Sequence, residues 1–201
     1  MTADELVGCI DGFFEAVASR HLEIYNEFSV QHELGVYLRS RLGPAVKVQF
    51  ERPVEYFGLS RTGLTKRETD LTVLGPGQRD KIALELKYPR NAQYPEQMFA
   101  ACEDIAFLEE LVLGGFSLGC FVMVADDPHF WRGESDHAPY WYFRGGRTLT
   151  GSIQKPTGKK DRSVELHGQY RIHWKPAGPV RYAVVTVGPR EVLMNPLAPA
   201  P

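Results

Sequence analysis

Glu68-Thr69-Asp70-Leu71-Thr72-Val73-Leu74 leads through Gly75-Pro76-Gly77 to Lys81-Ile82-Ala83-Leu84-Glu85-Leu86-Lys87-Tyr88. Both arms carry strand-forming residues, and the Gly-Pro-Gly between them is turn chemistry. Residues 69–74 and 81–88 are therefore expected to form two antiparallel strands. Side chains alternate along a strand, so Glu85 and Lys87 share one face while Leu84 and Leu86 point to the core. Pairing brings Asp70 beside them, although fifteen positions separate it from Glu85.

Upstream, Leu6, Ile10, Phe13, Phe14 and Val17 recur at helical spacing, which predicts an N-terminal helix within 1–21. Asn26 is a good N-cap for a second helix running to Leu42, where Gly43-Pro44 stops it. Residues 46–54 read as a strand, and 57–66 as a Gly-containing exposed loop. Downstream, Met98, Ala101, Cys102, Ile105, Leu108 and Val112 mark one face of a long helix closed by Gly114-Gly115, and 121–125 follows as a buried strand. Glu103, Asp104, Glu109 and Glu110 fall mainly off that apolar face and are expected in solvent.

This order implies one α/β domain: a mixed central sheet flanked by helices, with its core in 26–125 and a C-terminal β-rich extension over 126–194. In the extension, Trp131 and Tyr140 to Phe143 suit packing, 144–162 reads as a long exposed loop, and 164–174 and 180–187 as paired β segments. Residues 195–201 read as a tail.

With 43% hydrophobic and 24% charged residues in 201 positions, the composition is that of a globular domain, without a span of membrane length. Cys9, Cys102 and Cys120 are an odd number in apolar settings, and no secretory leader is recognisable, so a cytoplasmic, reduced protein is expected. His129, His137, His167 and His173 lack a compact ligand spacing, which argues against zinc.

Hard cations such as Mg²⁺ or Mn²⁺ prefer carboxylate, carbonyl and water oxygens, and Asp70, Glu85 and the Leu86 carbonyl offer these around one point. Lys87 adds a cation able to orient a metal-bound water and offset negative charge.

Asp70 followed by a turn and Glu85-Leu86-Lys87 resembles the signature of the PD-(D/E)xK nuclease superfamily, over roughly residues 26–125. Thr69 stands where the name has proline. The resemblance implies a restriction-endonuclease-like fold and Mg²⁺- or Mn²⁺-dependent hydrolysis of phosphodiester bonds in nucleic acid, DNA foremost. It assigns Asp70, Glu85 and Lys87 to catalysis. It also places Glu33, in Gln31-His32-Glu33-Leu34-Gly35, as a further helical acid near the metal. Gln97 matches an accessory glutamine of some branches, but Ala101 stands where those carry tyrosine. A nuclease-like module that binds nucleic acid or protein without cleaving is the alternative reading, and a two-fold dimer would suit double-strand cleavage.

Net charge is −2, so affinity for phosphate has to come from local clustering. Arg144, Arg147, Lys155, Lys159, Lys160 and Arg162 face one acid, Asp161, in their segment. Such a loop could track a phosphate backbone, or equally be a solvated loop without a partner.

Overall fold

The structure is a computed structural model that describes residues 1–158 and 162–193. Lys159, Lys160 and Asp161 of the basic segment, and the tail at 195–201, lie outside the described residues. Helix α1 spans Ala3–Ala18 behind a Thr2 capping box, and α2 spans Glu27–Leu42. The Asn26 side chain accepts the Ser29 N–H at 2.8 Å, satisfying one of the free donors at the helix start.

Strands β1 (Lys47–Pro53), β2 (Glu68–Leu74) and β3 (Lys81–Lys87) form an antiparallel meander. Helix α3 (Tyr94–Leu113) then crosses over to β4 (Leu118–Ala125), which runs parallel to β3. After the short helix α4 (Tyr140–Phe143) come β5 (Leu149–Gln154), β6 (Ser163–Tyr170), β7 (Lys175–Ala177), β8 (Val180–Val187) and the final helix α5 (Pro189–Leu193). The main sheet is mixed and six-stranded, in the order β1-β2-β3-β4-β8-β7. Its flanks are helical, as the sequence implied. Among the described residues no helix is long and apolar enough to cross a membrane.

Two cores follow from the strand alternation. On one face Leu71, Val73, Leu84, Leu86, Cys120 and Val122 pack against Leu6, Phe13 and Phe14 of α1 and Leu34 and Leu38 of α2. Gly35 is needed where α2 lies on β1, because a Cβ there would stand 2.3 Å from the Phe50 ring. On the other face Ala83, Phe121, Met123 and Val185 meet Met98, Cys102, Ile105 and Leu108 of α3.

Three expectations change beyond Asp126. The core does not end there, since β8 pairs antiparallel with β4 along Gly119–Ala125 and completes the sheet. Segment 144–162 is not one long loop, because β5 occupies its middle. Nor does β6 pair with 180–187: it pairs with β5 in a separate ribbon, Leu166 opposite Gly151. That ribbon lays Leu149, Ile153, Val164 and Leu166 against the outer side of α3. Helix α3 is thereby covered on both sides, and two of its acids are buried rather than solvated. Glu109 accepts the His167 and Gly168 N–H groups and the Tyr170 hydroxyl, at 2.9, 2.7 and 2.7 Å. Asp104 turns into the site described next.

Candidate active site

Strands β2 and β3 are in register as far as Leu71 opposite Leu84. Beyond that pair, side chains replace the ladder. Asp70 donates its N–H to Glu85 Oε1 at 3.3 Å, and Leu86 donates its N–H to Asp70 Oδ2 at 2.7 Å. The expected neighbours Asp70 and Glu85 are thus interlocked where the two strands part. Glu85 has no exposed surface, and Lys66 Nζ donates to its other oxygen.

Lys66 also donates to Asp104 Oδ1 at 3.0 Å, and Lys87 Nζ stands 3.2 Å from Asp104 Oδ2. That last pair is an ion pair without hydrogen-bond alignment, and Oδ2 is buried with no hydrogen bond. Asp70, Glu85 and Asp104 therefore share a compact cluster with Lys66 and Lys87. Burial raises the Asp70 carboxyl to about 6, although Lys66 and the Leu86 N–H pull the other way. Burial, reinforced by the Asp70 charge, pushes Glu85 well above the ordinary carboxylate range. For Lys66 burial opposes the charge, but Glu85, Asp104 and Asp70 outweigh it and hold the ammonium protonated beyond an ordinary lysine. Lys87 is shifted in the same direction, with Asp104 and Glu27 outweighing burial.

Asp70 also lines a cavity of about 210 Å³ together with Glu27, Phe28, Gln31, Glu51 and Leu86. Gln31 Nε2 donates to the Asp70 carbonyl at 2.8 Å and to Glu51 Oε1, tying α2 to β1 and β2. Glu27 Oε2 accepts the Tyr88 N–H at 2.9 Å, just past the end of β3. The α2 acid at this cavity is therefore Glu27. Glu33, two turns further along, is half-buried beside His32 at 4.0 Å and does not line it. Gln97 sits in the first turn of α3, half-buried.

Among the described residues no three metal-ligating side chains are already gathered as a cage. The donor set nonetheless suits a hard cation that keeps several waters and takes one or two carboxylates, because Asp70, Glu27 and Glu51 line one cavity together with Leu86. Both Glu85 oxygens are taken inside the protein.

The basic segment is only partly open. Arg144 is consumed by the His129 and Glu134 carbonyls and stacks on Tyr140 at 3.9 Å, and Arg162 pairs with Glu103. Arg147 is exposed over Trp141, and Lys155 is half-buried. A second cationic surface lies on edge strand β1, where Arg39, Lys47 and Arg52 line a groove of about 510 Å³ with no acid in its lining.

Sequence reasoning missed Lys66, Asp104, Glu27 and Glu51. Lys66 fell in a presumed exposed loop and Asp104 on a presumed wet helix face. Glu27 was indistinguishable from an acid compensating a helix N-terminus. Asp104 flanks the Ala101–Ile105–Leu108 stripe, the one signal that pointed inward. No protein-family model, no curated protein and no solved structure matches this chain.

Proposed function

We propose that this chain is a divalent-metal-dependent phosphodiesterase of the PD-(D/E)xK type acting on nucleic acid, DNA foremost. The observation that carries the reading is the interlock of Asp70 with Glu85 and Leu86 at the parting of β2 and β3, with Lys87 on the Glu85 face of the same strand. Asp70, the Leu86 carbonyl and Glu27 would hold Mg²⁺ or Mn²⁺, with Glu85 joining when its oxygens are released. When bound, such an ion acidifies a water and stabilises charge on the scissile phosphate.

The chain's own groups have separate tasks. The Leu86 N–H fixes the rotation of the Asp70 carboxylate, so one oxygen is committed and the cavity side stays defined. Lys87 holds a proton firmly and serves as a fixed positive charge for the phosphate oxygens or the attacking water, rather than as a general base at neutral pH. Phe28, 77% exposed at the cavity rim, offers a flat face on which a nucleobase beside the scissile phosphate can stack. Lys47 and Arg52 on β1 supply cations for the backbone leading to the cavity.

The test is Mg²⁺-dependent nicking of supercoiled plasmid and cleavage of labelled single-stranded oligonucleotides, with EDTA controls. Wild type should cut, while Asp70→Asn and Lys87→Met should fall by about two to four orders of magnitude. Equal activity in purified, folded variants refutes the assignment. Retention of nucleic acid without cutting favours a binding module instead, a reading that the internal engagement of both Glu85 oxygens would support.

A further inference from the structure

Lys66 lies in a segment expected to be an exposed loop. Lys66 Nζ reaches Glu85 and Asp104 at once and has Asp70 among its neighbouring charges. It is more exposed than the groups it pairs with: its side chain is 31% exposed, against 5% for Asp104 and none for Glu85, and 16% for Lys87. The adjoining backbone is pinned, because Glu110 accepts the Thr65 N–H at 2.7 Å and the Thr65 hydroxyl at 2.5 Å. Any departure of the ammonium is thus a rotation of its four-carbon stem toward solvent, without opening of the loop.

The counter-charge on Glu85 decides when that departure is favourable. Lys66 donates to Glu85 and to Asp104, and it supplies the positive charge at the Glu85 oxygen that the Asp70 N–H does not engage. A divalent ion on Glu85 would take over that charge, so the ammonium would leave without stranding the carboxylate. A buried carboxylate without a counter-charge is strongly unfavourable, so an ionised Glu85 keeps a cation beside it.

We propose that Lys66 is a built-in counter-cation which occupies Glu85 in the metal-free protein and which a divalent ion must displace to recruit that carboxylate. The proposal rests on the metal-dependent reading above and adds a control on it. Metal affinity is set by competition with an intramolecular ammonium, and the displaced lysine becomes free toward solvent, where it can meet an anionic substrate.

The experiment is Mn²⁺ titration of the full chain, followed by electron paramagnetic resonance, for wild type and Lys66→Met. Removing the competitor should tighten Mn²⁺ binding by about tenfold or more, and Mn²⁺ should raise the Tm of Lys66→Met more than that of wild type. Equal or weaker affinity in the variant overturns the proposal and leaves the metal-dependent reading standing. Absence of Mn²⁺ uptake by either protein overturns both. Should Lys66→Met not fold, wild type alone decides: Mn²⁺ should speed reductive methylation of Lys66, read by peptide mass spectrometry, several-fold relative to other lysines. An unchanged or slower rate overturns the proposal.

Discussion

The backbone N–H of Leu86 lies 2.7 Å from Asp70 Oδ2, so a side chain of β2 takes the place of a β2 main-chain acceptor for this β3 donor. This bond fixes the carboxylate where the strands separate, and it makes Asp70 a partly buried acid rather than a solvated one. Burial in turn lifts its carboxyl to about 6.

A pH dependence of stability follows. Well below pH 4 Asp70 is protonated in both folded and unfolded chains, and its burial costs little. As pH rises toward about 6 the unfolded chain ionises first, so the folded state loses stability across that window. The loss is on the order of 3 kcal/mol. Glu85, shifted the same way, extends the trend. Urea midpoints in EDTA from pH 4.5 to pH 7 (about that range suffices) should fall less steeply for Asp70→Asn, which keeps an acceptor for Leu86. Parallel curves for the two proteins would remove the argument.

Glu27 and Glu33 make opposite predictions. Glu27 lines the cavity with Asp70, and Glu33 does not. Glu27→Gln should weaken Mn²⁺ binding by about tenfold, while Glu33→Gln leaves it within twofold, roughly the level of an uninvolved surface change. Calorimetric titration distinguishes them, and the reverse ranking would restore Glu33 to the site.

Affinity for nucleic acid should depend on β1 and α2 more than on the segment after α4. Phe28→Ala should weaken binding of a single-stranded oligonucleotide by roughly 1–3 kcal/mol, the worth of one stacked base. Lys47→Ser and Arg52→Gln should each lower the salt slope by about one. Arg144→Gln should act on folding instead, because that side chain serves the His129 and Glu134 carbonyls. Filter binding at several salt concentrations measures all four, and an unchanged slope would rule out the β1 groove.

Glu109 organises the ribbon without touching the site. Its carboxylate gathers donors from His167, Gly168 and Tyr170 beneath β6. Glu109→Ala strands those buried donors and should cost about 3 kcal/mol, a drop in Tm of roughly 6–12 °C. A thermal melt that hardly moves would mean the ribbon is held by its apolar contacts alone.

The helices and the central strands were legible locally because each carries its own periodicity and punctuation: the Asn26 cap, the Gly75-Pro76-Gly77 turn, the Gly114-Gly115 stop. Period-two alternation likewise determined that Glu85 and Lys87 share a face and that Leu84 and Leu86 enter the opposite core. What no local pattern carried was partnership between distant segments. That β8 docks on β4, and that the β5–β6 ribbon roofs α3, depended on which apolar faces remained unburied once the rest had assembled. The ribbon turned Glu109 inward, the loop before β2 laid Lys66 on Glu85 and Asp104, and the seating of α2 placed Glu27 rather than Glu33 at the cavity. A charge's role is set by what surrounds it in space, and that surrounding exists only after the chain has closed on itself.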